Sequence, residues 1–162
     1  MDWQNAPAGN AIDRLIGAKL FGYTVADLLA DDLDNPDAPI YCLFEPRPDD
    51  APRLVHGLAV LDMPHATEDD AWGTCPPFST DITWAWTIMN ALQAKLSGQL
   101  DAITLSWCSD VDWDFTPRRW HGEVHWDASL ASPKAVGVLA DTVELAICRA
   151  ALAWLAAQHD GA

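Results

Sequence analysis

The folds open to this chain are limited most strongly by the order of its helix-like and strand-like hydrophobic patterns. Three segments carry apolar residues at helical spacing, and runs of short alternating segments separate them. The order is one helix, two strands, a second helix, three strands and a last helix. Because strands grouped in runs pair antiparallel, we predict an α+β fold. In it, an antiparallel sheet of about four or five strands carries three main helices.

The helices are indicated by their apolar stripes and their ends. Residues 11–20 carry the first helix, residues 79–98 contain the second, and the third begins near Asp141. The N-cap of the second is one of Ser79, Thr80 and Asp81. The positions predicted to be buried in the third are Leu145, Cys148, Leu152 and Leu155. A shorter helical piece is predicted over residues 24–33, because Thr24 and an aspartate three positions later have the spacing of a capping box.

The predicted strands are residues 40–45, 54–62, 102–108, 119–127 and 134–140. In the fourth, RWHGEVHWD, the alternation has period two. It places Trp120 and Trp126 on one face of the strand and His121 and His125 on the other. Residues 62–79 are predicted to be a long polar loop, whose length is typical of a functional or mobile segment.

Acidic residues dominate the charge of the chain. Aspartate and glutamate number 24 against nine lysines and arginines, which gives a formal net charge of −15 at pH 7. This charge argues against general binding to DNA or RNA, because phosphate contacts need a basic surface. Two interpretations of the acidity stay open. One is a solvated, soluble surface, and the other is a mimic of nucleic acid that covers a basic partner.

The length and the N-terminal sequence indicate one cytoplasmic domain. A chain of 162 residues suits a single domain over residues 1–162. The start, MDWQNAPAGNAID, lacks the basic and apolar regions of a signal peptide, and no apolar run approaches the ~20 residues of a membrane span. The four cysteines lie far apart in the sequence, so we expect reduced thiols in the cytoplasm.

Three motifs resemble the phage ABA-sandwich domain family. They are IDRLIGAKLFGY (12–23), FSTDITWAWTIMNAL (78–92) and ADTVELAICRAALAWL (140–155), of which the third is the most specific. The phage NinX-like proteins show a similar plan more distantly. The resemblance leaves residues 31–78 and 107–133 largely unmatched. It implies an α/β/α sandwich, in which an antiparallel sheet lies between helices, and a phage or prophage origin. It implies no catalytic residues.

The residues argue against a zinc site, a calcium loop and a catalytic cysteine. His121 and His125 lie four apart on a predicted strand, about 13 Å from each other at ~3.3 Å per residue, so they cannot share a zinc ion. The motif DVDWD (110–114) opens like a calcium loop but lacks the glycine and the glutamate that follow in one. Cys75, a candidate nucleophile with His65, has no neighbour that would activate it. We therefore expect no metal, no cofactor and no enzymatic activity.

The stretch DFTPRRWHGEVHW (114–126) carries the candidate ligand site. The residues predicted to bind ligand are Trp113, Arg118, Arg119, His121, Glu123 and His125. Two guanidinium groups near aromatic rings, with Trp107 on the preceding strand, can hold a phosphate while a base stacks. The competing interpretation is that the arginines only neutralise the aspartates of residues 110–114.

The function expected from these residues is binding. The leading hypothesis is a non-enzymatic phage-type protein in the host bacterial cytoplasm that sequesters a small nucleotide signal of a host defence system. The alternative is an acidic interaction protein that blocks a basic surface of a host protein, and a small hydrolase is the third. The expected partner is thus a small anionic, nucleotide-like ligand or a basic host protein. Homo-oligomerisation is left open.

Overall fold

A computed structural model of the protein describes residues 2–28, 40–46, 53–54, 65–96, 102–108, 119–126 and 134–159. The α-helices among them are α1 (Asn10–Ile16), α2 (Glu68–Trp72), α3 (Ile82–Lys95) and α4 (Val143–His159). The strands are β1 (Thr24–Leu28), β2 (Ile40–Glu45), β3 (Arg53–Leu54), β4 (Ala102–Cys108), β5 (Arg119–Trp126) and β6 (Lys134–Ala140). These strands form a first sheet, β1-β2-β3, and a second sheet, β4-β5-β6, and both are antiparallel.

The first helix continues into a π-helical turn over Gly17–Phe21. Its predicted apolar stripe is confirmed, because Ile12, Ile16 and Leu20 are all buried. Gly22 ends the turn with a left-handed backbone (φ 72°), and the Tyr23 amide donates to the Gly17 carbonyl over 2.9 Å. Glycine is the residue that adopts this conformation without steric cost.

The first sheet corrects one prediction. Residues 24–28, predicted to begin a short helix, form β1 and pair with β2 from Thr24 opposite Phe44 to Leu28 opposite Ile40. The capping-box spacing is a local signal, and the hydrogen-bond ladder offered by β2 overrides it. The strand β2 is confirmed at its predicted position, and β3 is confirmed only at Leu54, because residues 55–64 lie outside the described part of the chain.

Side-chain caps begin the two middle helices. Thr67 caps α2, because its hydroxyl oxygen accepts from the Asp70 amide over 3.1 Å. The prediction of a continuous loop over 62–79 is therefore wrong at Glu68–Trp72. Asp81 caps α3 by accepting from the Thr83 amide over 2.8 Å, which selects one of the three predicted caps.

The last helix, α4, packs on the second sheet at very close range. An unbroken run from Leu145 to Cys148 and a second from Ala150 to Trp154 are buried, so apolar contact surrounds the helix. A Cβ placed on Gly122 of β5 would lie 2.7 Å from the Ala146 carbonyl oxygen and 3.2 Å from the Ala150 Cβ. Glycine on the strand and alanine on the helix therefore permit the contact.

One cluster of buried residues joins the helices to both sheets. It includes Ile16 of α1, Leu43 of β2, Ile88 of α3, Val124 of β5 and Ile147 of α4. The α+β class and the antiparallel pairing are confirmed. The prediction of one sheet of four or five strands is wrong, because the described strands number six and divide into two sheets.

Candidate ligand-binding site

The predicted site residues that the structure describes form a row on one face of β5. Arg119, His121, Glu123 and His125 alternate along the strand with Trp120, Gly122 and Val124. Gly122 and Val124 are buried, whereas the four residues of the row are half-buried. The row therefore lies on the side of the second sheet that faces away from α4. Around it, the exposed residues of that face are Thr104, Ser106, Ala135, Gly137 and Leu139.

Arg119 has a carboxylate beside it, in a loose contact. Its Nε lies 3.3 Å from Oδ1 of Asp141, and the two side chains are 40% and 77% exposed. The same Nε has no hydrogen-bond partner among the described residues, so the pair is an ion pair without hydrogen-bond geometry. Exposed pairs of this kind contribute about 0–1 kcal/mol. Asp141 is therefore a weakly held counterion.

The two histidines of the row have different neighbours. His121 lies across the sheet over Gly137, where an added Cβ would meet its Nε2 at 2.5 Å. His125 places its Nε2 3.3 Å from Oε2 of Glu123, two residues away on the same face. When His125 is protonated, this contact is an ion pair. The row thus combines the positive charge of Arg119 with the negative charge of Glu123.

An aromatic pair lies at the end of the same two strands. Trp107 of β4 is opposite Trp120 of β5, and their rings meet edge to face with centroids 5.2 Å apart and an interplanar angle of 66°. Trp107 is 45% exposed. Cys108 and Arg119 form the next pair of the ladder. Strand alternation places Arg119 on the opposite face from the two rings, so only a ligand at the strand ends can contact both.

Two predicted site residues, Trp113 and Arg118, lie outside the described residues, as do the aspartates of 110–114. In sequence they belong to the ten-residue connection between β4 and β5. The structure therefore brings together Arg119, His121, Glu123 and His125. Asp141 was not predicted to contact Arg119, because nothing in the sequence pairs the end of β6 with the start of β5.

Neither Cys75 nor Cys148 is placed for nucleophilic chemistry. The Cys75 thiol is buried and donates to the Asp13 carbonyl oxygen over 3.4 Å. Burial, with a smaller contribution from the charge of Asp13, raises the pKa of Cys75 to about 12. The predicted partner His65 pairs its backbone with Tyr41 instead. Burial also raises the pKa of Cys148 well above its ordinary value, which agrees with a structural role. No three histidine, cysteine or acidic side chains within the described ranges are grouped to hold a metal ion.

Two concave regions flank α1, where the sequence predicted no site. A cavity of about 180 Å³ is lined by Trp3, Leu15, Lys19, Leu152, Leu155 and Ala156. A more open one, of about 640 Å³, contains Arg14 and Asp69. Sequence periodicity shows Arg14 and Lys19 only as polar positions of an amphipathic helix. The smaller cavity exists because the N-terminal segment and α4 pack beside that helix, and the larger one lies between the helix and Asp69 of α2.

Comparison with protein-family models gives one match, to the phage ABA sandwich domain, over residues 53–152. The matched range covers 100 of the 162 residues. The chain belongs to the phage ABA sandwich domain family. Within this family's range lie the second motif of the sequence analysis and most of the third, whereas the motif at 12–23 precedes it. Neither the curated proteins nor the solved structures contain a match.

The family match supports a phage protein with a fold of α-helices and β-sheets, and it assigns no ligand, partner or reaction. Within the described part of the chain, none of the helices is both long and apolar enough to cross a membrane.

Proposed function

We propose that this phage-type domain is a non-enzymatic binding protein that holds a small anionic nucleotide at the shared end of β4 and β5. By sequestering such a molecule, it would blunt a host defence system that uses the nucleotide as a signal. One observation carries the proposal. The Arg119 guanidinium and the half-exposed Trp107–Trp120 pair occupy successive positions of one ladder.

The arginine supplies the phosphate-binding element. Asp141 is 77% exposed and lacks hydrogen-bond geometry with Arg119, so losing this contact costs little. A phosphate offers more negative charge and several acceptor oxygens, and an arginine can bind two of them at once. A phosphate can therefore replace Asp141 as the partner of Arg119.

The tryptophan supplies the base-binding element. Trp107 contacts Trp120 edge to face, and 45% of its surface is exposed. The neighbouring ring fixes its orientation, so little entropy is lost when a base stacks on it. Stacking on an aromatic side chain contributes about 1–3 kcal/mol per base.

Calorimetry with a panel of linear and cyclic nucleotides tests the proposal. We expect heat with at least one nucleotide and an affinity lowered about tenfold or more in Arg119→Gln and in Trp107→Leu. The matched controls are Arg14→Gln, which also removes an arginine paired with an exposed aspartate, and Trp86→Leu, which removes a tryptophan 50% exposed on α3. Absence of heat across the panel, or equal losses in the controls, would refute the proposal.

A second candidate is an acidic protein that blocks a basic surface of a host protein. The specific observation is that Glu68, Asp69 and Asp70 are all exposed in the first turn of α2. In a chain with a net charge of −15, such a turn attracts a basic partner over long range. If this candidate is right, calorimetry detects no nucleotide binding, and the protein captures a basic host protein from lysate. The double variant Glu68→Gln/Asp69→Asn should then capture less of that protein, whereas Asp2→Asn should capture as much as the parent.

A further inference from the structure

The cavity beside α1 is lined by the side chains of one cation and five apolar residues. Its volume is about 180 Å³, and its lining includes the Trp3 ring, three leucines and the Lys19 side chain. Leu152 is buried, Leu15 and Leu155 are half-buried, and Lys19 is exposed. Apolar atoms form the larger part of these walls and polar atoms the rest, which favours an occupant with an apolar body and one polar group.

Lys19 is available to a ligand. It forms no ion pair with any residue in the described part of the chain. Free cations are scarce in this protein, which has 24 acidic residues and nine lysines and arginines. A lysine that has no ion pair within the described residues and borders this cavity is therefore placed to bind the carboxylate of a ligand.

The elements around the cavity hold its walls in place. Lys19 belongs to the π-helical turn Gly17–Phe21, which extends α1 and is closed by Gly22. The N-terminal segment that carries Trp3 is fixed at Ala6, whose carbonyl accepts from Arg149 of α4 over 2.8 Å. It is fixed again at Gly9, whose amide donates to the Ser79 hydroxyl over 2.7 Å. The cavity therefore exists before a ligand arrives.

We propose that this cavity binds a small aromatic carboxylate, with the ring between Trp3 and Leu152 and the carboxylate on Lys19. A single aromatic ring fits this volume, since an apolar cavity of about 150 Å³ accommodates benzene. A nucleotide is too large for this volume, so the site is separate from the strand ends of β4 and β5. Each proposal can therefore fail without the other.

Binding of benzoate and of benzamide to the full-length protein, measured by calorimetry or by ligand-observed NMR, tests the inference. The two probes have the same shape, and only benzoate carries a charge. We expect benzoate to bind about tenfold more tightly than benzamide. Lys19→Gln should remove this preference and leave benzamide binding unchanged. Lys95→Gln, which removes an exposed lysine in the last turn of α3, is the matched control and should change neither.

A second variant separates the cavity from the charge. Ala156 is exposed on α4 and lines the cavity, so Ala156→Phe fills the space from the rim without disturbing a buried position. It should abolish binding of both probes while the melting temperature stays at the parent value. The inference is overturned if neither probe binds the parent protein, or if Ala156→Phe retains benzoate. It is also overturned if Lys95→Gln loses as much affinity for benzoate as Lys19→Gln does.

Discussion

The close contact between β5 and α4 predicts that alanine has different effects on stability at two glycines, which lie on opposite faces of the second sheet. Gly122 of β5 faces α4, and an alanine there would place its Cβ 2.7 Å from the Ala146 carbonyl oxygen and 3.1 Å from the carbonyl carbon. Both atoms are helix backbone, which cannot rotate away. Ordinary contact begins at 3.4 Å, so strand and helix must separate by about 0.7 Å.

The expected cost of Gly122→Ala follows from two opposing effects. Overpacking a well-packed core costs about 1–3 kcal/mol. Alanine loses less backbone entropy than glycine on folding, which returns about 0.5–1 kcal/mol. We therefore expect the free energy of unfolding to fall by about 1–2 kcal/mol. For a chain of this size, the melting temperature should fall by about 2–4 °C per kcal/mol.

The matched variant is Gly137→Ala on β6. Its Cβ would meet Nε2 of His121, the far end of a half-buried side chain that can rotate toward solvent. Only the entropy gain then remains, so stability should stay the same or rise by up to about 1 kcal/mol. Urea unfolding followed by tryptophan fluorescence and by circular dichroism measures both variants. Equal stabilities for the two variants, or a larger loss in Gly137→Ala, would refute the close packing of α4 on Gly122.

Three further outcomes follow from the core. Leu152→Ala should lower the free energy of unfolding in urea by about 2–5 kcal/mol, because the residue is only 2% exposed and its neighbours already border a cavity. A variant that unfolds like the parent would show that α4 is not packed there. Cys148 and Cys75 should resist a thiol reagent at pH 8 until the protein unfolds, since burial raises the pKa of both thiols. Rapid labelling of either cysteine in the folded protein would contradict their burial. Burial also raises the pKa of Asp13 above its ordinary 3.8, although hydrogen bonds from Ser79 oppose the shift. The folded protein then holds this proton more tightly than the unfolded chain, so the contribution of Asp13 to stability falls as the pH rises from about 3.8 through the raised value. Asp13→Asn should remove that part of the pH dependence, and an unchanged stability profile from pH 3 to 8 would count against it.

The local sequence determined the helix α3 and the strand β5, whose own residues specify where they form. The helix α3 forms where predicted because a capping aspartate, Asp81, precedes an apolar stripe that ends at Leu92. The strand β5 forms where predicted because its period-two alternation places Val124 in the core and His121 outside it. For the same reason, the separation of the β5 row from Trp120 follows from the sequence alone.

Tertiary structure decided what depends on residues far apart in the chain. Thr24–Leu28 is a strand because β2 offers it a hydrogen-bond ladder, and a local capping signal cannot report that. Asp141 faces Arg119 because β5 and β6 pair in one particular register. The cavity at Lys19 is lined by Trp3 and Leu152, which are more than 130 residues apart in sequence and become neighbours only when α4 packs beside α1. Periodicity reports which face of an element is apolar, but the partner of that face is decided by packing.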